Sequence, residues 1–238
     1  MSVDLRDIGV TLGGRAVLAG VSARLTEPRV GIVGRNGSGK TTLARVIAGL
    51  ITPDAGQARI GGTDMAGDRR AALHNVGIIF QNPDHQIIFP TVLEEIAFGL
   101  AQQGRRAKDA EAEARAMLDR FGKAHWAMAA THSLSQGQKQ LLCLMAVLAM
   151  QPGVIVMDEP FSGLDIPTRL QLMRYLDGIA AQVVMVTHDP HQLCGFDRIL
   201  WLEGGRLIAD GPADRVLPDF ETQMHDWGGL DDLAHLAG

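Results

Sequence analysis

Apolar positions alternate loosely through Val3–Leu12 and again through Ala16–Leu25, with the pair Gly13-Gly14 between them. Period-two alternation around a glycine pair predicts an antiparallel hairpin at the start of the chain. Val30–Val33 is a short run of apolar residues and glycine that reads as a buried strand, and Leu43–Leu50 behind it reads as a helix. The turn Thr52-Pro53-Asp54-Ala55-Gly56 leads to a strand ending at Ile60, and Val76–Phe80 is another short apolar run. The pattern then turns helical. Val92, Leu93, Ile96, Ala97 and Leu100 recur at helical spacing within Thr91–Leu100, Asp109–Phe121 follows, and Gln136–Met150 is a long helix apolar on most faces of its second half. Val154–Met157 and Gln182–Val186 are continuous apolar runs, as in central parallel strands covered on both faces, with a crossover helix over Thr168–Ala180. Arg198–Leu202 and Arg206–Ala209 form a second hairpin. Beyond Pro218 the pattern fades, and 219–238 could be a helix, a docked tail or disordered chain. The expected fold class is α/β, with a core over about 1–81 and 151–217 interrupted by a helical block over about 82–150.

Between the strand at Val30–Val33 and the following helix stand Gly34, Arg35, Asn36, Gly37, Ser38, Gly39, Lys40, Thr41 and Thr42. This run fits G-x-x-x-x-G-K-[ST], and strand, glycine loop, helix is the setting in which that pattern means a P-loop. Glycines let backbone N–H groups converge on phosphate oxygens. Lys40 supplies a charge for the β- and γ-phosphates, and the Thr41 hydroxyl is placed to ligate Mg²⁺. The helix N-terminus adds donors and a favourable dipole. The chain is expected to bind a nucleoside triphosphate together with Mg²⁺.

Asp158 and Glu159 follow the apolar strand 154–157, at the edge where open α/β sheets hold ligands. Asp158 suits Mg²⁺ and Glu159 suits an attacking water, although a carboxylate pair also makes an ordinary turn or helix cap. Ser135 opens the long helix and would cap it in any protein. Gly137 in the first turn lowers helix propensity, and a close approach to phosphate would account for it. His188 ends the next core strand at the same sheet edge.

Composition narrows the picture only slightly. The chain has 238 residues, 46% hydrophobic and 21% charged, with a net charge of −5, which argues against a general nucleic-acid binder. The longest apolar run, Leu141–Met150, is far short of the ~20 residues a membrane span needs. There is no secretory h-region at the N-terminus, so any tie to a membrane must come through a partner, at its cytoplasmic face. Cys143 and Cys194 lack metal-like spacing and are expected to be buried, reduced thiols.

Five pieces in order, GRNGSGKTT, Gln81 after a strand, LSQGQ (Leu134 to Gln138), VIVMDEP followed by Ser162–Asp165, and His188, resemble the ATPase subunit of an ABC transporter. The resemblance implies a P-loop NTPase, RecA-like core with an N-terminal antiparallel β-subdomain and an inserted helical signature subdomain. It implies a head-to-tail dimer in which Ser135, Gly137 and Gln138 face the nucleotide of a second subunit. By the same likeness Gln81 senses Mg²⁺ and the attacking water, Asp165 contacts the dimer partner and His188 holds the γ-phosphate. The stretch Phe80–Val92, continuing to Gly99, is similar to the energy-coupling-factor (ECF) ATPases that drive vitamin and transition-metal uptake. In that family it lies beside the groove for coupling helices of the transmembrane T-component, which works with a substrate-binding S-component. Apolar Ile87, Ile88 and Phe89 in a loop are in keeping with a partner there. Two departures stand out: Gln136 where the family usually has glycine, and Leu12 about where an aromatic usually stacks on adenine. The chain also stops soon after the core, which suits a dedicated transporter with an ATPase homodimer, for biotin or for cobalt or nickel, with biotin fitting best. The rival reading is a soluble, non-transport ABC ATPase acting on nucleic acid or ribosomes.

Overall fold

A computed structural model of the chain describes residues 1–228. Strands β1 (Val3–Leu12) and β2 (Arg15–Leu25) form the expected hairpin; β3 (Arg29–Val33) leads into α1 (Lys40–Ile47). Then come β4 (Ala55–Ile60), β5 (Thr63–Asp64), α2 (Arg69–Asn75) and β6 (Val76–Ile79). The helical block holds α3 (Val92–Gln102), α4 (Ala107–Arg120) and α5 (Gln136–Ala149). β7 (Val154–Asp158), α6 (Ile166–Asp177), β8 (Gln182–Val186), β9 (Arg198–Glu203), β10 (Arg206–Gly211) and α7 (Ala213–Gly228) complete it.

Two sheets result. An antiparallel one has the order β2-β1-β4-β5, and a six-stranded one the order β10-β9-β3-β8-β7-β6. In the larger sheet only β10 runs antiparallel to its neighbour; β9, β3, β8, β7 and β6 pair in parallel. The apolar runs are continuous because both faces of this sheet are covered. Val154, Val156, Val184 and Val186 pack with α1 and the small sheet, while Ile155, Met157, Val183 and Met185 pack with the helical block and α7. Strand periodicity thus divides one apolar run between two cores.

One helix escaped the sequence pattern, and a second extends into the stretch whose state it left open. α2 begins at Asp68, whose carboxylate accepts from the Ala71 amide, in a stretch rich in charge and alanine. α7 contains Pro218, which removes one ladder hydrogen bond. Aromatic packing offsets that loss: Trp201 of β9 meets Phe220 edge-on at 5.3 Å and Trp227 at 6.5 Å. Residues 219–228 of the ambiguous tail are therefore helical, and 229–238 lie outside the described residues. Of the two cysteines, Cys143 is buried and burial pushes its thiol up to about 12. Cys194 is exposed instead, because it follows a short 3-10 turn over Pro190–Leu193 rather than sitting inside a helix.

β3 approaches its neighbours too closely for a side chain at Gly31, where a Cβ would stand 2.6 Å from Ile199 Cδ1 and 2.6 Å from Leu193 Cδ1. Gly31→Ala is expected to lower unfolding stability by about 1–3 kcal/mol through overpacking, as read by urea denaturation; an unchanged midpoint would contradict this packing.

Candidate nucleotide site

β3, β7 and β8 all end at one edge of the large sheet, where the chain places Gly34–Lys40 after β3, Asp158 and Glu159 at the end of β7, and His188 after β8. The glycine loop is clamped from below. The Gly205 amide donates to the Ser38 carbonyl at 3.0 Å, and the Ala19 amide to the Gly205 carbonyl at 2.9 Å, so the β9–β10 turn and β2 support it. A Cβ on Gly34 would run into the Leu202 carbonyl, and one on Gly39, at φ 103°, would lie 2.8 Å from the Val17 carbonyl. Only glycine fits either place.

Asn36, Gly37, Gly39, Lys40, Thr41 and Thr42 line a cavity of about 340 Å³ together with Gln81, Glu159, His188 and Val17. Lys40 is only 7% exposed, and its Nζ donates to the carbonyls of Gly34 (2.8 Å) and Arg35 (2.9 Å). Desolvation pulls the Lys40 ammonium below its usual range, against the opposing pull of Glu159, Asp158 and Glu203. Thr41 Oγ1 donates to Asp158 Oδ1 at 3.0 Å. Burial pushes the Asp158 carboxyl up, partly countered by the Thr41 hydrogen bond and by Arg45. Two hard oxygens so close together suit a small divalent cation such as Mg²⁺.

Glu159 is one of three non-glycine residues at positive φ in the described chain, at 50°. That backbone costs about 1–3 kcal/mol and persists where its surroundings hold it. Here the Glu159 amide donates to Val186 O at 2.9 Å, and the carboxylate, 12% exposed, lies 2.8 Å from His188 Nδ1. Gln81 Nε2 donates to Ser162 Oγ at 3.2 Å.

The remaining sequence candidates lie elsewhere. Ser135 caps α5 in a capping box: its Oγ accepts from the Gln138 amide at 3.3 Å, and Gln138 Oε1 accepts from the Ser135 amide at 2.8 Å. Gly137 has a reason inside the chain that its spacing did not reveal, since a Cβ there would collide with Thr168 Cγ2 on α6. Neither these three nor Gly34, Arg35 and Ser38 line the cavity. Arg35 lies 5.3 Å over the Trp227 ring of α7. Leu12, read as the position facing adenine, is 47% exposed at the hairpin turn and stands off the cavity; Val17 of β2 lines it instead. The register of the hairpin decides this, and no local motif marks it. A larger groove of about 730 Å³ runs between 190–197 and α7, away from the phosphate loop.

The sequence model of the ABC transporter family matches residues 20–162. This chain belongs to the ABC transporter ATPase family. It is 53% identical to the "Biotin transport ATP-binding protein BioM" of Rhodobacter capsulatus, over 94% of this chain and 95% of that one. Among solved structures it resembles cbiO1 of Clostridium perfringens, described as part of the ABC transporter complex cbiONQ. The TM-score is 0.78 at 26% identity, over 92% of each chain. It also resembles a dimeric, post-hydrolysis ATP-binding cassette, MJ0796, bound to ADP and Pi, with TM-score 0.76 at 25% identity over 89% of this chain and 98% of that one. The α/β P-loop NTPase fold and the ATPase reading of the sequence both hold.

Because the folded-state pKa of Asp158 lies above its usual value, the ionised form costs stability near neutrality, and that cost fades as pH falls through the folded pKa. Asp158→Asn is therefore expected to raise the melting temperature of the nucleotide-free ABC ATPase at pH 7, with the gain shrinking at lower pH. A lower melting temperature at pH 7 would contradict a desolvation cost at Asp158.

Proposed function

We propose that this ABC ATPase energises an ECF-type importer whose cargo is biotin, working as a homodimer with a T-component and an S-component in the membrane. The observation that carries the mechanism is the division of the motifs: Lys40, Thr41, Gln81, Glu159 and His188 share one cavity, whereas Ser135, Gly137 and Gln138 do not line it. A head-to-tail pairing of two copies brings the missing set from the neighbour, and the dimeric relative with ADP and Pi supports such a pairing. BioM of R. capsulatus, matched along nearly its whole length, supports biotin over cobalt or nickel. Both likenesses are to transport proteins, which leaves the soluble, non-transport reading without support.

Within that reading each side chain has a task. The loop amides and Lys40 hold the β- and γ-phosphates, the ammonium exchanging its two carbonyl partners for phosphate oxygens. Thr41 Oγ1 and Asp158 would hold Mg²⁺, which supplies neutralisation of phosphate charge, and Gln81 reaches the same space. Glu159 takes the proton of the attacking water. His188, with Nδ1 engaged by Glu159, keeps Nε2 for the γ-phosphate. Ser135 of the second copy completes the cage on closure, so hydrolysis depends on a geometry that a membrane partner can bias. Asp165, which caps α6 by accepting from the Thr168 amide at 2.8 Å, lies on the exposed face the same closure covers.

In the described residues no helix is long and apolar enough to cross a membrane. Attachment at the cytoplasmic face would run through the segment before α3, part of the helical subdomain (about 82–150) set against the core. There the amides of Ile88 and Phe89 both donate to the buried Glu95 carboxylate at 2.9 Å, which fixes Ile88 in place while leaving it 65% exposed. A rigid, exposed isoleucine suits an apolar helix from a partner.

Glu159→Gln is expected to retain Mg²⁺-ATP binding and to dimerise with it, while turnover falls about 10²–10⁴-fold. Turnover near wild type would remove Glu159 from its role. For the transport reading, mass spectrometry of a detergent-extracted complex captured by this subunit is expected to find multispanning partners and bound biotin; ribosomal proteins in their place would overturn it.

A further inference from the structure

Gln136 stands at the first helical position of α5, and the proposed hydrolytic cycle gives it no task. Its Nε2 donates to the Ser162 carbonyl at 3.3 Å, and its amide lies against Gly163, whose missing Cβ would sit 3.3 Å from that nitrogen. Ser162 is a junction. Its amide donates to the Glu159 carbonyl at 3.2 Å, and its Oγ accepts from Gln81 Nε2 at 3.2 Å. The next residue along α5, Gly137, abuts Thr168, whose amide is capped by Asp165. The first turn of α5 is therefore fastened to segment 159–168 of its own chain at two points, and one of them needs a long amide side chain. A glycine at 136 would remove the hydrogen bond to Ser162 and leave the Gly137–Thr168 approach.

We propose that Gln136 is a positioning residue that couples the two nucleotide sites of the dimer. This rests on the head-to-tail reading, in which Ser135 serves the partner's nucleotide while Glu159 and Gln81 serve the chain's own. The route is short: Gln81 and Glu159 each hold Ser162, Ser162 holds Gln136, and Gln136 adjoins the Ser135 cap. A shift of segment 159–163 in one site is thereby passed to the serine that closes the other. Gln136 is exposed in the single chain, where water competes for its hydrogen bond; dimer closure excludes that water and strengthens the link.

The test uses the full-length chain carrying Glu159→Gln, with dimerisation followed against Mg²⁺-ATP by light scattering. Adding Gln136→Glu keeps the length of the side chain but replaces the donor with a carboxylate that the Ser162 carbonyl repels. The ATP concentration for half-dimerisation is expected to rise about 5-fold, the worth of one hydrogen bond. The affinity of the monomer for ADP should stay put. The melting temperature of the nucleotide-free chain should not fall, since a carboxylate is welcome at a helix N-terminus. Gln136→Ala should shift dimerisation in the same direction. The inference is overturned if both variants dimerise at the parent ATP concentration, or if the loss tracks a drop in melting temperature. A parent Glu159→Gln chain that never dimerises sinks the head-to-tail reading itself and takes this inference with it.

Discussion

One buried ammonium and two carboxylates meet at the carboxyl edge of the large sheet, and the arrangement of Lys40, Asp158 and Glu159 governs what else the chain must do. Alone, each charge in that place is costly. Burial pulls Lys40 down and pushes Asp158 up, and their mutual attraction only partly offsets this. The single chain manages the strain with makeshift partners: backbone carbonyls for Lys40, the Thr41 hydroxyl for Asp158 and the His188 imidazole for Glu159. Under the proposed function phosphate would take the place of the two carbonyls on Lys40, and Mg²⁺ that of the Thr41–Asp158 hydrogen bond, while His188 stays on Glu159. The site is in that sense built for a polyanion with its cation.

The surroundings follow from holding these charges still. β3, β7 and β8 are apolar on both faces, so the sheet edge is a rigid platform between two cores. The loop Gly34–Gly39 lies so close to Leu202 and Val17 that backbone packs on backbone. Glu159 keeps a left-handed backbone against the end of β8. Rigidity on this side contrasts with the signature turn, which is stable by its own capping box and tied to the platform through Ser162 and Thr168. Under the proposed function, this preorganised half-site and the separate Ser135 turn would supply the two-state behaviour a transporter needs.

Much of this was legible in the residues. Apolar runs at Val154 and Gln182 located the central strands to within a residue, because doubly covered strands leave no polar alternation to confuse them. The glycine loop was legible because few other demands explain that spacing. What the pattern hid was tertiary. Pro218 and a charged surface masked α7, whose stability comes from Trp201 across the fold. Gly137 looked as if it answered to a phosphate, while Thr168 of α6 already excludes a side chain there. Cys194 looked buried from its neighbours, yet a short turn exposes it. The cavity wall falls to Val17 and not Leu12, which pairs with Arg15 at the exposed end of the hairpin.

Under the proposed function the triphosphate is held by one copy and enclosed by another. A structure of the wild-type chain with Mg²⁺ and a non-hydrolysable ATP analogue tests it most directly. The expected result is a two-fold dimer in which each γ-phosphate contacts Lys40 of one copy and Ser135 of the other. A γ-phosphate enclosed by a single chain, with Ser135 facing solvent, would contradict it.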